Sequence, residues 1–465
     1  MQPKKSINIL LAACSGILLF SACRKTHDVV SPVATSTSTI AASPNLIKDS
    51  TLMYARELYL WYNQIPGSFD PKTYEDPSKI MEAIHPFSIE PGFTQPVDKW
   101  SFGMKKTEWD NLSAGISSTF SGSTSTGNFG LGVMFLVEGD LRVKSVERQS
   151  PAGLAGVHRG WRIIKINGNT DMMTSNASFI IDNVYKASST TFTFTKPDGS
   201  NVDLTFNAST YHQRPVYLDT IYNIGSKHIG YLIFNSFLGD TVEINNDLQR
   251  VFSKFASSGV NDLIVDLRYN GGGYVSVQQT LANYLVPGSA SGGLMMKQQY
   301  NDKNSRYNVT TYFHKIGSFN PSTIYFIVTK GTASASELLI NNLKPYMDVL
   351  LVGPSTTHGK PVGFFPLSVG DWYVFPVSFR STNKNGEGNY FNGIPVNSAV
   401  GDGLDKDWGD VRESSLARAI KSITTGSFGN QVQEHYSQAE SVIQGNIQLD
   451  LPSFKGSIDT RGMNK

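Results

Sequence analysis

The sequence predicts a multidomain α/β protein with a helical N-terminal region, a β-rich middle domain and an α/β domain built on a largely parallel sheet. Three patterns predict it: an aromatic stripe at helical spacing before residue 120, short strands with turn signals over 121–208, and alternating apolar strands and helices over 209–425. A chain of 465 residues is long enough for two or three domains with sizeable cores.

Residues 1–23 have the features of an export signal. Two lysines precede a mostly apolar run at 7–20, which is short for a comfortable membrane span. The tetrapeptide ending at Cys23 resembles the lipobox of bacterial lipoproteins, so we predict lipidation of Cys23 and a lipid-anchored location in a bacterial cell envelope, facing the periplasm or on the outer-membrane surface. The tetrapeptide ending at Cys14 matches the pattern even better, but cleavage there would leave only a handful of apolar residues before it, so we prefer Cys23. Ordinary secretion with cleavage nearby is the alternative.

Composition narrows the possible partners. Residues 24–43 alternate Thr and Ser near prolines and are predicted to be a flexible tether. The two cysteines both lie in the signal region, so the mature domains should hold no disulfide or thiolate metal site. A net charge of +2, from 40 basic and 38 acidic residues, indicates no nucleic-acid partner. The eight histidines are scattered, and we expect no metal and no cofactor.

A helical N-terminal domain is predicted for residues 44–120. Apolar and aromatic side chains between Leu52 and Tyr62 fall on one helical stripe, which Pro66 and Gly67 should end. Such a stripe is more typical of a core face than of a ligand platform. A segment rich in Gly, Ser and Thr at 114–128 marks the boundary with the next domain.

The β-rich domain at 121–208 has a recognisable order of elements. Ser150 is a natural N-cap and Pro151 suits the first position of a short helix. A strand at 163–166, a second helix at 177–186 and a closing hairpin over 192–206 follow. This order resembles a PDZ domain of the form found within bacterial proteases.

The PDZ resemblance implies a peptide-binding role. In such domains, backbone N–H groups, here those of Leu131, Gly132 and Val133, hold a peptide carboxylate while the peptide adds a strand to the sheet edge. Trp161 departs from the pattern, because an acidic residue usually stands at that position. The alternative is that this domain serves only as a structural lid.

Residues 209–425 alternate between strands and helices. Strands are predicted at 229–234, 263–267, 323–328 and 349–352, and helices at 244–255, 275–285 and 334–343. The nearly continuous apolar run at 263–267 is typical of a strand buried on both faces, which predicts a parallel sheet covered on both sides. The polar C-terminal tail, 426–465, has no role that we can assign.

Ser334 is the candidate nucleophile, at a corner between a strand and a helix among small neighbours. A serine hydroxyl needs a base to remove its proton, and Lys360 can act so only if burial among apolar groups lowers its pKa. Glu337 lies about one helical turn after Ser334, and we expect it to orient the lysine amine by a hydrogen bond. His358, two residues before the lysine, is an alternative base.

An oxyanion hole is predicted beside the serine. Backbone N–H groups at a helix start are unpaired, so Ala335 can supply one donor. The second should come from the run Asn270–Gly273, because glycines beyond a strand end can turn bare backbone towards a ligand.

Taken together, these motifs resemble the carboxy-terminal processing proteases, also called tail-specific proteases. The resemblance covers about residues 129–425. Its motifs are a Ser-Ala-Ser-Glu run at 334–337, a Gly-Lys pair at 359–360, and Asp-Leu-Arg-x-Asn-x-Gly-Gly at 266–273. The segment at 98–102 also looks like the lead segment of lipoprotein members. Many members have a glutamine where this chain has Phe364, so the orienting role would fall to Glu337, as in a Ser-Lys-Glu branch.

That resemblance implies a PDZ-containing serine endopeptidase with Ser334 as nucleophile, Lys360 as base, and Ala335 with Gly272 or Gly273 as the oxyanion hole. It would bind apolar C-terminal tails of polypeptides and cleave them through an acyl-enzyme. Two alternatives remain open: a catalytically inactive peptide-binding envelope lipoprotein of the same fold, and a carbohydrate-uptake lipoprotein, which only the anchor suggests.

Overall fold

A computed structural model describes residues 43–117, 127–429, 449 and 454–461. The predicted signal peptide, the lipidation site Cys23 and nearly all of the predicted tether therefore lie outside the described residues. Within the described ranges, no helix is both long enough and apolar enough to cross a membrane.

The N-terminal region is only partly helical. Its elements are the helices α1 (Pro44–Leu58), α2 (Pro77–Ala83) and α3 (Lys106–Ser113) and the strand β1 (Phe102–Lys105). The aromatic side chains of Tyr59 and Trp61 are buried, as a core stripe requires. The expectation of helix throughout is wrong at β1, because this strand pairs with residues 372–375, a long-range contact that local periodicity does not encode.

Residues 131–207 form an antiparallel five-stranded sheet. Its strands, in spatial order, are β2 (Leu131–Phe135), β3 (Leu141–Val146), β4 (Arg162–Ile166), β5 (Ser189–Thr195) and β6 (Asn201–Asn207). Two short helices, α4 (Pro151–Leu154) and α5 (Ala177–Ile181), connect them, and α5 continues as a π-helical turn. Ser150 caps α4 by accepting the N–H of Gly153 at 3.1 Å, as predicted. The strand β2 lies at the edge of this sheet.

A second sheet carries the predicted parallel order. Its strands, in spatial order, are β19 (Ser398–Ala399), β14 (Asp348–Gly353), β13 (Thr323–Ile327), β9 (Asp262–Asp266), β8 (Lys227–Phe234) and β7 (Val216–Ile224). All neighbours are parallel except β7 and β8. The predicted α/β class with a largely parallel sheet is confirmed.

Helices cover both faces of this parallel sheet. They are α6 (Thr241–Ser257), α7 (Val275–Leu285), α8 (Ala335–Leu343) and α9 (Ser414–Thr425). Leu263 and Val265 pack into the core that includes residues of α6, α7 and α8, whereas Ile264 packs into the core that includes α9. Successive strand residues point to opposite faces, so the apolar run at 263–267 fills two cores at once.

A third sheet contains a strand from the C-terminal tail. In spatial order it consists of β10 (Gly272–Tyr274), β20 (Gly456–Ile458), β15 (Val362–Phe364), β18 (Val377–Thr382), β11 (Leu294–Tyr300) and β12 (Val309–Tyr312). A small sheet of β1, β17 (Trp372–Phe375) and β16 (Leu367–Val369) packs beside it. Residues 456–458, from the tail to which the sequence assigned no role, thus lie between the strand that carries Gly272 and Gly273 and the strand that follows Lys360.

Candidate active site

Ser334 lies at the N-terminal end of α8, just beyond the parallel strand β13. Its backbone has φ 56° and ψ −105°, a conformation that residues with a side chain rarely adopt. Its N–H donates to a Glu337 carboxylate oxygen at 2.8 Å, which helps to hold that conformation. The Ser334 side chain is fully buried. A strained, buried serine at a strand-to-helix corner is a common arrangement for a reacting group.

Lys360 lies in a largely apolar pocket. Its side chain is 1% exposed, and its amine donates to the carbonyl oxygen of Val362 at 3.0 Å. The amine stands 3.6 Å from the ring centre of Phe364 and 5.6 Å from that of Trp100. No hydrogen bond joins this amine to the Ser334 hydroxyl among the described residues. The backbones of the two residues lie close together nevertheless, because one carboxylate oxygen of Glu337 accepts the backbone N–H groups of both.

Burial changes the acid–base behaviour of Lys360. Loss of hydration lowers the pKa of its amine well below the ordinary value. The carboxylates of Asp98 and Glu337 act in the opposite direction, but the desolvation is larger. This is the shift that a lysine needs to accept a proton near neutral pH.

Glu337 organises the backbone of the site and does not bond the lysine amine. One of its oxygens accepts the Thr357 hydroxyl at 2.5 Å and the Gly359 N–H at 2.6 Å, and the other accepts the N–H groups of Ser334 and Lys360 at 2.8 and 2.9 Å. The predicted hydrogen bond to the amine is therefore wrong, because four donors from two loops already converge on this carboxylate. Burial raises the pKa of Glu337, and these hydrogen bonds oppose the rise.

The segment at 98–102 forms one wall of the lysine pocket. The indole N–H of Trp100 donates to Nε2 of His358 at 3.0 Å, and Asp98 accepts the hydroxyls of Ser101 and Tyr59 at 2.6 and 2.9 Å. Desolvation and nearby lysines lower the pKa of His358 to about 4. Since its Nε2 lone pair is already engaged by the indole, this imidazole is poorly suited to be the alternative base. The sequence flagged the segment only by resemblance and gave these side chains no role.

The predicted oxyanion residues Gly272 and Ala335 lie side by side. Gly272 and Gly273 have φ of 106° and 143°, which few residues other than glycine adopt. A Cβ atom added to Gly272 would lie 3.0 Å from the backbone nitrogen of Ala335. Gly272 donates its own N–H to the Asn270 side chain at 2.9 Å, which favours Gly273 as the second donor.

The tail strand β20 covers this site. Its Ser457 hydroxyl shares a hydrogen bond of 2.8 Å with the Ser334 hydroxyl, between residues 123 positions apart in the sequence. Its Gly456 stands opposite Gly272 in a parallel pairing and donates its N–H to the Gly271 carbonyl at 3.0 Å. No feature of residues 454–461 in the sequence predicted this contact.

The predicted peptide-binding residues lie in the five-stranded sheet, apart from the serine and lysine. Leu131 and Val133 lie on the edge strand β2 with their side chains buried in the core of that sheet. The N–H of Val133 donates to the Tyr185 hydroxyl at 3.0 Å. Trp161, which departs from the PDZ pattern, is a core residue of the same sheet.

A buried ionic network joins the five-stranded sheet to the parallel sheet. Arg268, two residues after β9, contacts Asp266, Asp402 and Glu413. Arg159, three residues before β4, also contacts Asp402. Burial alone would raise the pKa of Asp402, but the guanidinium groups of Arg159 and Arg268 hold this pKa well below its usual range. The Arg268 position belongs to the Asp-Leu-Arg motif, and its function in this fold is to neutralise buried carboxylates.

Comparison with known proteins finds one family model that matches the part of the chain containing Ser334 and Lys360. Residues 228–395 match the model of peptidase family S41. Two curated relatives, the carboxy-terminal processing proteases CtpA and CtpB of Bacillus subtilis (strain 168), are each 25% identical to the chain, over 301 and 311 residues. These matches cover 64% and 65% of this chain but 58% and 60% of the relatives. The chain thus matches less than two thirds of their length.

The fold also matches a solved structure. A protein described as an S41 protease from Bacteroides fragilis NCTC 9343 superposes with a TM-score of 0.63 at 23% identity. The superposition covers 81% of this chain and 97% of the other. At this identity the likeness shows the fold alone.

Proposed function

We propose that this chain, which carries a peptidase family S41 domain and is related to the carboxy-terminal processing proteases, is a serine endopeptidase. Ser334 would be its nucleophile and Lys360 its base. The observation that carries the proposal is the buried Lys360 amine, whose pKa is lowered by desolvation and whose backbone is tied to that of Ser334 through Glu337.

The arrangement supports an acyl-enzyme mechanism. The neutral Lys360 amine takes the Ser334 hydroxyl proton as the serine oxygen attacks the substrate carbonyl carbon. The backbone N–H groups of Ala335 and Gly273 stabilise the resulting oxyanion. The protonated amine then gives its proton to the departing nitrogen, and water hydrolyses the ester. To reach Ser334 Oγ, the amine must leave the Val362 carbonyl, and the lysine's four-carbon chain permits this movement.

The five-stranded sheet supports a peptide-binding role of the PDZ type. The edge position of β2 leaves one side of this strand open for an added strand, and α5 lies in the same core. The backbone of Leu131, Gly132 and Val133 would then hold the C-terminal carboxylate of an apolar tail. To admit such a peptide, the Tyr185 hydroxyl must release the Val133 N–H.

The proposal includes an envelope location through lipidated Cys23. Metabolic labelling with a palmitate analogue should mark the full-length protein and not its Cys23→Ser variant. Equal labelling of both would remove the lipid anchor from the proposal.

Hydrolysis of an unstructured polypeptide with an apolar C-terminus tests the function. Ser334→Ala and Lys360→Met should each abolish cleavage and leave the circular dichroism spectrum unchanged. Lys315→Met is the matched control, because Lys315 is also partly buried and bonds backbone carbonyls, but lies away from the motifs. The binding-module alternative is favoured if the wild-type chain and Ser334→Ala bind the tail equally and neither cuts it, even after residues 454–465 are removed.

A further inference from the structure

The tail strand β20 occupies a position that a bound peptide would occupy. It pairs in parallel with β10, with Gly456 opposite Gly272 and Ile458 opposite Tyr274. On its other side it pairs in parallel with β15, with Ile458 opposite Phe364. These flanking strands carry the candidate oxyanion glycines and follow the candidate base. The groove between them is therefore a strand-accepting site at the catalytic centre.

Apolar anchors hold the tail in this groove. The Phe454 ring lies 5.7 Å from that of Trp109 and 6.1 Å from that of Phe102, measured between ring centres. Ile458 is 1% exposed and belongs to a core that also includes Val362 and Phe364. Two apolar side chains four residues apart thus anchor the segment in the same core.

Polar contacts fix the register beyond the strand. The N–H of Asp459 donates to the Phe364 carbonyl at 3.1 Å, and its carboxylate accepts the Tyr300 hydroxyl at 3.3 Å and contacts Arg461. Arg461 also donates to the Gln298 side chain at 2.6 Å. A one-residue slip would break all of these contacts, so the segment is seated in one register.

The contacts with the reacting groups are the most informative. The Ser457 hydroxyl bonds the very hydroxyl that Lys360 would have to deprotonate. A Cβ atom on Gly272 would collide with the Gly456 carbonyl oxygen while lying close to Ala335 N, so this carbonyl faces the space where the oxyanion donors converge. Ser334 is fully buried with the tail in place.

We propose that residues 454–461 are an intramolecular inhibitor, which fills the substrate groove between β10 and β15 and must leave before a polypeptide can be cut. The inhibitor role rests on the proposed peptidase function, whereas the occupation of the groove does not. Because the segment belongs to the same chain, it competes at a high effective concentration. Leu449, a little earlier in the tail, is buried in the core of the five-stranded sheet. A ligand that opens this core would therefore disturb the same stretch of chain.

Removing the tail is the direct test. A chain ending at Ser453 should cleave the polypeptide with kcat/KM at least about tenfold above that of the full chain, if the open groove is populated less than about a tenth of the time. The gain should appear as a lower KM, since the tail competes with substrate. A synthetic peptide of residues 454–465 should restore inhibition competitively, and a peptide of the same composition in scrambled order should not.

A binding measurement separates this inference from the peptidase proposal. On the Ser334→Ala background, the fluorescein-labelled 454–465 peptide should bind the shortened chain and not the full chain, whether or not the protein is a peptidase. Cleavage is compared in parallel with the full and shortened chains that keep Ser334. Peptide binding to the shortened Ser334→Ala chain, with no cleavage by either chain that keeps Ser334, would overturn the peptidase function and keep the occupied groove. Absence of peptide binding, with equal cleavage by the two chains that keep Ser334, would overturn the inhibitor proposal.

A substitution in the full-length chain tests the inhibitor even if the shortened chain does not fold. Ile458→Asn weakens one anchor and should raise kcat/KM, whereas Arg412→Ala, on an exposed loop elsewhere, should not. If Ile458→Asn leaves kcat/KM unchanged while limited proteolysis shows that its tail is released, the inhibitor proposal is wrong.

Discussion

Replacing Lys360 with methionine tests the physical basis of the whole site. Methionine has a similar length, keeps the apolar contacts with Phe364 and Trp100, and removes the amine. Burial lowers the pKa of the folded amine well below that of the unfolded chain. Between these two pKa values the unfolded state binds one proton more than the folded state. Lys360 therefore destabilises the folded protein, and this destabilisation grows as pH falls through that range.

The size of the effect follows from this proton count. Between the folded and unfolded pKa values, we compare the free energy of unfolding of the wild-type chain with that of Lys360→Met. The wild-type value should rise relative to the variant by about 1.4 kcal/mol for each unit of increasing pH. Above the ordinary lysine pKa both states are neutral and the difference levels off. Urea unfolding of both proteins from pH 6 to pH 10 measures this difference, and Lys72→Met, at a half-exposed lysine, is the control substitution.

Activity should follow the same titration. The kcat/KM of a chain freed of its tail should rise with pH as the Lys360 amine loses its proton, and then reach a plateau. A stability difference that is flat across pH 6 to 10 would mean that the amine stays charged in the folded protein. That result would refute the assignment of Lys360 as base.

Three further substitutions test separate parts of the structure. Glu337→Gln replaces an acceptor oxygen with a donor NH₂ group, so buried donors that the carboxylate accepted lose their partner. Urea unfolding should show a free energy of unfolding lower by about 1–3 kcal/mol for each donor that is left unpaired. A change below about 0.5 kcal/mol would contradict the hydrogen-bond network around Glu337. Arg159→Met leaves the buried Asp402 with one cation fewer and should lower the free energy of unfolding by about 3–5 kcal/mol. The control His158→Ala, at an exposed contact with Asp407, should lower it by less than about 1 kcal/mol. Equal losses for the two variants would contradict the buried Arg159–Asp402 pair. His358→Gln keeps an acceptor for the Trp100 indole and removes the imidazole. Since the folded imidazole has a pKa of about 4, the variant should lack the loss of stability that His358 causes as pH falls from about 6.5 to about 4. An unchanged dependence of the free energy of unfolding on pH would contradict the lowered pKa of His358.

Much of the architecture could be predicted because its signals are local. The apolar run at 263–267 predicted a strand buried on both faces, and the Ser-Pro pair at 150–151 predicted a helix start; both are present. The family resemblance, carried by three short motifs, is confirmed by the S41 match over 228–395. The roles of Ser334 and Lys360 stay predictions, which the geometry supports but does not test.

The predictions that were wrong concern contacts between segments that are distant in the sequence. Glu337 was expected to bond the lysine amine, but its neighbours in space include Thr357 and Gly359, which helical spacing around Ser334 could not supply. The strand at 102–105 lay in a region predicted to be helical, because its pairing partner is at 372–375.

Spacing, caps and apolar periodicity along the chain determined the order of elements, the parallel sheet and the small-residue corner that presents Ser334. They did so because each depends on residues a few positions apart. Only the tertiary structure decided what surrounds the candidate site: Trp100 bonds His358 across 258 positions of the sequence, and Ser457 bonds Ser334 across 123. Strand pairing and burial depend on which surfaces meet after the chain has folded, and no local pattern in a polar tail records that residues 456–458 will pair with β10 and contact Ser334.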